Sequence, residues 1–260
     1  MKFSKPLLLC TVLFLLVGCV SVPEKDADKI AAEKSSSNIK AKADDATTPV
    51  NQSVKESAPT SVLPAGPVTP NPYLQNPQKF SEPIEVNFHD AVAAMQQQNW
   101  AHAEAVLLPL ADKTPNLSGV HLNLGIVYRA KGETEKASTE FNRAISANPK
   151  NVDAYNQLAV LKREAGDFSA AETLYQKALT IWPFYPEGHK NIAILYELYL
   201  AKPEQALPHY LAYQQLLPAP DKQVDSWVAD LERRLKGGKD ANKAADTKTP
   251  DQTSEKAEAK

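Results

Sequence analysis

Two stretches of the chain carry the same pattern, HLNLGIVYRAKGETEKASTEFNRAISANP at residues 121–149 and YNQLAVLKREAGDFSAAETLYQKALTIWP at residues 155–183. A shift of 34 residues aligns their shared positions, which are Leu124 with Leu158, Phe141 with Tyr175, Ala137 with Ala171, Ala144 with Ala178 and Pro149 with Pro183. Self-similarity at a fixed period is typical of repeat proteins, in which each unit stacks on the next. The period therefore predicts a linear array of similar units.

Within each unit the spacing is that of two helices. Residues 121, 124, 125 and 128 lie three or four positions apart and would share one helical face, and residues 137, 141 and 144 would share a face of a second helix. Gly125 and Ala137 are small, as expected where two antiparallel helices cross closely. Gly132 lies in the turn between them, and Pro149 ends the second helix.

These residues resemble the tetratricopeptide repeat, which has an aromatic residue, Leu-Gly, Tyr, Ala, Phe, Ala and Pro at these offsets. Lys162 departs from the pattern, because it stands where the family has tyrosine. The resemblance implies an all-α, right-handed superhelix of antiparallel helix pairs. In repeat arrays of this kind a terminal capping helix covers the last apolar face.

Less regular units flank the two clear ones, so we expect about four repeats over residues 83–236. Val224 to Leu235 would form the capping helix, which makes nine helices in all. Met95 and Ala103 of the first unit are eight positions apart, and Tyr196 and Ala206 of the last are ten apart, whereas Tyr128 and Ala137 are nine apart. We therefore predict that the turn of the first repeat is one residue shorter than usual and that of the last one longer.

The N-terminus reads as an export signal. Lys2 and Lys5 precede an apolar run that is too short to span a bilayer. The run ends in Leu16-Val17-Gly18-Cys19, which resembles the bacterial lipobox. The resemblance implies that residues 1–18 are removed and that Cys19 carries a diacylglycerol. In that family an aspartate after the cysteine retains the protein in the inner membrane. None follows here, so we expect an outer-membrane lipoprotein that faces the periplasm.

Polar segments flank the predicted repeats. Residues 19–82 are rich in Ala, Lys, Ser and Pro and lack apolar periodicity, so we expect a disordered tether. An alternative is that Tyr73-Leu74 or Phe80 docks back on the repeats or on a partner. Residues 237–260, which begin with Gly237-Gly238, would form a second disordered tail.

No pattern in the chain indicates an enzyme, a metal site or a cofactor other than the lipid. The formal net charge is -2, and no basic track indicates nucleic-acid binding. Both cysteines lie within the first 19 residues, so the folded part has no thiol ligands. His121 and His189 occupy the aromatic position of the repeat pattern, which predicts that they are packed core residues.

The most plausible role for such an array is to bind a protein or peptide partner of the envelope. The first helices would line a concave groove with polar side chains, namely Asn123, Arg129, Asn156, Arg163, Lys190 and Asn191. Amides can pair with a peptide backbone and cations with carboxylates. Solvation of an exposed helix face would explain the same residues, and Glu187 and Glu197 on the same side argue against a simple acidic ligand.

An assembly role is the alternative to a simple adaptor. A pilotin-like or secretion factor would guide subunits into an outer-membrane complex, although such proteins usually have their repeats close to the lipidated cysteine. Residues 194–200, 221–224 and Trp227 also resemble segments of lipoproteins that accompany TonB/ExbB-type or gliding-type envelope systems.

Overall fold

The computed structural model describes residues 61–75 and 80–246, with side chains up to residue 238. In this part of the chain nine α-helices follow one another and no strand occurs. They are α1 (Glu82–Gln96), α2 (Trp100–Lys113), α3 (Ser118–Ala130), α4 (Thr134–Ala147), α5 (Val152–Glu164), α6 (Phe168–Ile181), α7 (Pro186–Ile194), α8 (Pro203–Leu216) and α9 (Lys222–Asp246). The predicted signal, Cys19 and most of the predicted tether lie outside the described residues.

The helices pack as four successive pairs. The closest contacts are α1 with α2, α3 with α4, α5 with α6 and α7 with α8, and each pair then contacts the next. The first helices of neighbouring pairs also contact one another, from α1 through α3 and α5 to α7. The first helices therefore form the inner layer of a curved stack, which confirms the predicted all-α superhelix.

Small residues allow the two helices of a pair to cross closely. A Cβ atom added to Gly125 would lie 2.5 Å from Cε1 of Phe141, a side chain of α4 that is fully buried. Carbon atoms in contact are normally about 3.5–4.0 Å apart. Ala137 and Ala144 are also fully buried at this crossing. The predicted role of Gly125 at a tight helix crossing is confirmed.

The turns within the pairs share one geometry. In the second pair Gly132 has a φ of 78°, and the Glu133 amide donates to the Tyr128 carbonyl at 2.8 Å. The first pair has the same bond from Asn99 to Ala94, also at 2.8 Å, and its turn is as long as that of the second pair. The prediction of a shorter first turn is therefore wrong.

The extra residue of the fourth pair lies in a helix instead of a turn. The end of α7 widens into a π-helical turn, Leu195–Tyr199, which accommodates one more residue than an α-helical turn. The chain then turns through Ala201, whose φ is 51°. The prediction of a longer turn is wrong, because helix widening keeps the turn compact and still brings Tyr196 and Ala206 into the core.

Two buried histidines tie α3 and α7 to the units before them. His121 and His189 are 4% and 2% exposed, which confirms that they are packed core residues. Their Nε2 atoms lie 3.0 and 2.8 Å from the carbonyl oxygens of Pro115 and Pro183, which end the preceding units. Because a carbonyl only accepts, each Nε2 carries the proton and donates it.

The last helix covers the apolar face of α8, as predicted for a capping helix. Val224 and Leu231 of α9 are fully buried, and the Asp221 carboxylate accepts hydrogen bonds from the amides of Gln223 and Val224 at its start. The helix continues past the predicted end of the domain at residue 236 and ends at Asp246. The apolar stripe of α9 stops at about residue 236, but Gly237-Gly238 does not end the helix. Among the described helices none is both long and apolar enough to cross a membrane.

Candidate functional site

The inner layer brings the predicted groove residues onto three neighbouring helices. Asn123 and Arg129 lie on α3, Asn156 and Arg163 on α5, and Lys190 and Asn191 on α7. Arg129 and Arg163 occupy the same position in successive repeats, as do Asn156 and Lys190. The predicted groove residues therefore lie on successive helices of the inner layer.

Most of these side chains are already engaged within the array. The Asn191 amide donates to the Asn156 side chain at 2.9 Å, and Asn123 donates to the carbonyl of Gly119 in its own helix at 2.8 Å. Arg129 donates to Glu164 of the next pair at 2.5 Å. Asn156 is only 4% exposed. The bonds of Asn191 and Arg129 join successive repeats, and all four side chains are less available to a partner than their sequence positions suggest.

The two remaining cations lie against aromatic rings. The Arg163 guanidinium is 5.6 Å from the centre of the Tyr199 ring, and its Nε and Nη1 are buried without a hydrogen-bond partner among the described residues. Lys190 lies 5.3 Å from the Tyr213 ring and 3.6 Å from the Asp221 carboxylate at the start of α9. Lys190 thus connects the fourth pair to the capping helix.

A segment of the predicted tether lies on the array. The indole N–H of Trp182, at the end of α6, donates to the carbonyl of Thr69 at 2.8 Å. Four residues further on, Tyr73 is half-buried against the start of α3. We call residues 69–75 the docked segment. The prediction of a disordered tether does not hold here, and the alternative that Tyr73 docks back on the repeats is confirmed.

Tyr73 fills a small site at the start of the second repeat. Gly119 lets it approach, because a Cβ atom there would lie 3.2 Å from the Tyr73 hydroxyl oxygen and 3.8 Å from the ring of Phe88. Burial raises the pKa of the Tyr73 phenol, a hydrogen bond with Ser118 lowers it, and the Asp153 carboxylate raises it. The phenol therefore contacts the start of α3 and is influenced electrostatically by Asp153 of α5.

A family model for the tetratricopeptide repeat matches residues 122–186, which span α3 to the start of α7. The pairing of the helices, their inner layer and the 34-residue register agree with this match. Residues 122–186 therefore match the tetratricopeptide repeat, and the helix pairs on either side continue the same fold.

Two known proteins are similar to this chain in sequence. The Photosystem I assembly protein Ycf3 of Rippkaea orientalis is 32% identical over 117 residues, which are 40% of this chain and 66% of that protein. Human Tetratricopeptide repeat protein 8 is 34% identical over 119 residues, which are 42% of this chain and 22% of that protein. The chain thus spans less than two thirds of the length of each relative.

Solved structures show the same fold. PilF of Pseudomonas aeruginosa superimposes with a TM-score of 0.55 and 20% identity, over 60% of this chain and 70% of that one. A thermophilic tetratricopeptide-repeat protein of Thermus thermophilus gives a TM-score of 0.50 and 22% identity, over 57% of this chain and 80% of that one. At these identities the likeness concerns the fold alone.

The groove of the tetratricopeptide array is acidic beside the docked segment. Gly119, Asp153 and Glu187 occupy the same position in three successive repeats. Burial raises the pKa of both carboxyls, and for Asp153 a hydrogen bond from the Tyr185 hydroxyl, 2.7 Å long, opposes the rise. Glu187, which already argued against a simple acidic ligand, lies at this end of the groove.

Another titratable cluster of the array is a histidine pair. His189 Nδ1 lies 2.9 Å from His209 Nδ1 of α8. Because Nε2 of His189 donates to Pro183, its Nδ1 accepts when the ring is neutral, and His209 is the donor. In the described part of the chain no three His, Cys, Asp or Glu side chains are grouped to hold a metal ion.

Sequence reasoning identified Tyr73 only as one alternative and missed its partners. The dipeptide Asn71-Pro72 before Tyr73 is a turn signal, which could have indicated local order inside the proline-rich segment. The common register of Gly119 and Asp153 could have indicated a site at the starts of the first helices. Nothing in the pattern connects Thr69 with Trp182, which lie 113 positions apart.

Proposed function

We propose that this protein is a lipid-anchored scaffold that binds another envelope protein or peptide through the concave side of its repeats. The docked segment carries the proposal. The array already holds a short polypeptide through a hydrogen bond from the Trp182 indole to the Thr69 carbonyl and through a half-buried Tyr73 side chain. A surface with these contacts suits a peptide from a partner, because backbone bonds supply affinity and side-chain sites supply specificity.

The anchor is proposed from the lipobox at Leu16–Cys19. Lipid chains at Cys19 would hold the protein on the outer membrane facing the periplasm, because each buried methylene contributes about 0.8 kcal/mol. The residues between Cys19 and the docked segment would then set the distance of the repeats from the bilayer. Attachment to the membrane is through the lipid alone in this proposal.

An assembly factor is the second candidate. It is favoured by the sequence similarity to the Photosystem I assembly protein Ycf3, which is 32% identical over 117 residues. In this version the repeats would hold subunits of an outer-membrane, secretion or energy-transducing complex while it forms. A lasting partner and a transient one differ in when they are bound, so pulse-chase crosslinking separates the two candidates.

Site-specific photo-crosslinking in intact cells tests the concave surface. A photoreactive residue at Asn123 faces the groove, and the same residue at the exposed Lys177 of α6 is the matched control on an outer helix. We expect a protein partner to crosslink from position 123 and not from position 177. Equal crosslinking from both positions, or crosslinking from 177 alone, would show that the partner binds elsewhere.

A further inference from the structure

The docked segment has an ordered local structure of its own. The Leu74 amide donates to the carbonyl of Asn71 at 3.0 Å, which closes a four-residue turn. The Tyr73 amide donates to the Asn71 side chain, also at 3.0 Å, and Pro72 fixes the backbone between them. The turn therefore presents the Tyr73 side chain at low entropic cost.

The array supplies two points of attachment for this turn. Gly119 and Ser118 at the start of α3 receive the Tyr73 ring and hydroxyl, with the Phe88 ring behind them. Trp182 at the end of α6 binds the carbonyl of Thr69 at 2.8 Å. Together they fix a short segment between the second repeat and the end of the third.

The segment also has a defined direction. Its earlier residue, Thr69, lies by the end of the third repeat, and its later residue, Tyr73, lies at the start of the second. It therefore runs against the order of the repeats and leads toward α1, where the array begins. The chain crosses the starts of the first helices, at the acidic end of the groove.

We propose that this end of the groove is a recognition site for a proline-tyrosine turn, and that residues 69–75 are its resident occupant. A partner segment of the same chemistry, a turn with a proline directly before a tyrosine, reaches the site by displacing them. This inference rests on the proposed function, because it assigns the ligand chemistry and the regulation of the same groove.

The contacts are few enough for displacement. The flanking side chains of Val68 and Leu74 are 64% and 44% exposed, so they add little burial. A tethered segment competes at an effective concentration on the order of millimolar. The resident turn therefore excludes weak ligands and yields to partners that bind more tightly than itself.

The test measures binding of a fluorescent peptide with the sequence of residues 66–76 to the full chain in detergent solution. The proteins are the wild type, Tyr73→Ala and the matched control Leu74→Ala, which alters an exposed side chain of the same turn. We expect Tyr73→Ala to bind the peptide at least ten-fold more tightly than the other two, because only its site is vacated. A peptide with alanine in place of tyrosine should not bind.

Three results would overturn the proposal. The first is equal binding of the peptide by Tyr73→Ala and wild type, and the second is intact binding after Gly119→Val is added to Tyr73→Ala. The third is a wild-type dimer in sedimentation that Tyr73→Ala dissociates, which would place the segment on a second copy. Melting curves of each variant verify that it is folded. Crosslinking of the envelope partner is a separate readout, so failure of the peptide test can be told apart from failure of the proposed function.

Discussion

A single methyl group at Gly125 should destabilise the domain, although the same change usually stabilises a helix. In Gly125→Ala the new Cβ would lie 2.5 Å from Cε1 and 2.6 Å from Cδ1 of Phe141. Carbon atoms in contact are about 3.5–4.0 Å apart, so the ring or the helix must move by about 1 Å. Phe141 is fully buried, so its ring would have to move against packed neighbours.

The expected magnitude follows from two opposing effects. Overpacking a core costs about 1–3 kcal/mol. Replacing glycine by alanine in a helix gains up to about 1 kcal/mol. The net loss of unfolding free energy should therefore be about 1 kcal/mol, and it should shrink when Phe141→Leu makes room.

Urea unfolding followed by far-ultraviolet circular dichroism measures this loss. Gly237→Ala in α9 is the matched control, because no atom lies within 4 Å of its added Cβ and the substitution should be neutral or stabilising. If Gly125→Ala stabilised the protein as much as Gly237→Ala, or if Phe141→Leu left its cost unchanged, close packing at the helix crossing would not be the cause.

Three further predictions concern the anchor, the cap and the histidine pair. Cys19→Ser should release the protein from the membrane fraction. Lipidation would be contradicted if the wild type took up no labelled fatty acid, or if the variant still pelleted with the membranes. Lys190→Ala should lower the free energy of unfolding by about 1 kcal/mol, because it removes the contacts of the ammonium with two aromatic rings and with the Asp221 carboxylate. An unchanged urea unfolding curve would contradict this. Burial, and then His189, lowers the pKa of His209 from 6.5 to about 4. The folded state therefore binds fewer protons than the unfolded state, and stability should fall by roughly 3 kcal/mol as pH drops from about 6.5 to about 4. His209→Gln should remove this part of the dependence of unfolding free energy on pH. Equal pH dependence for wild type and variant would refute the assignment to His209.

The structure also decides which groove residues should be mutated to test partner binding. If Arg163 and Lys190 were free groove cations, replacing both with alanine would weaken partner binding about ten-fold and leave stability unchanged. Because both cations lie against aromatic rings of the array, their loss would affect folding as well as binding. Tyr73 and Asp153 are therefore better positions at which to probe the groove.

Sequence reasoning predicted most of the fold because the repeats depend on local, periodic patterns. Apolar residues three and four positions apart indicated each helix, and the 34-residue register indicated that the helices pair and stack. The same register identified His121 and His189 as core positions. Errors arose where a unit departs from the register, as in the π turn at Leu195–Tyr199, because an inserted residue can be absorbed by a turn or by a helix.

The set of helices, their pairing and the capping helix could be inferred from the sequence, since each of these follows from spacing within about one repeat. Tertiary structure alone decided that Arg163 and Lys190 lie against aromatic rings and that Asn191 binds Asn156. It also decided that Tyr73 docks against Gly119. These contacts join residues far apart in the chain, and their energy depends on the distance and burial that only the folded array creates.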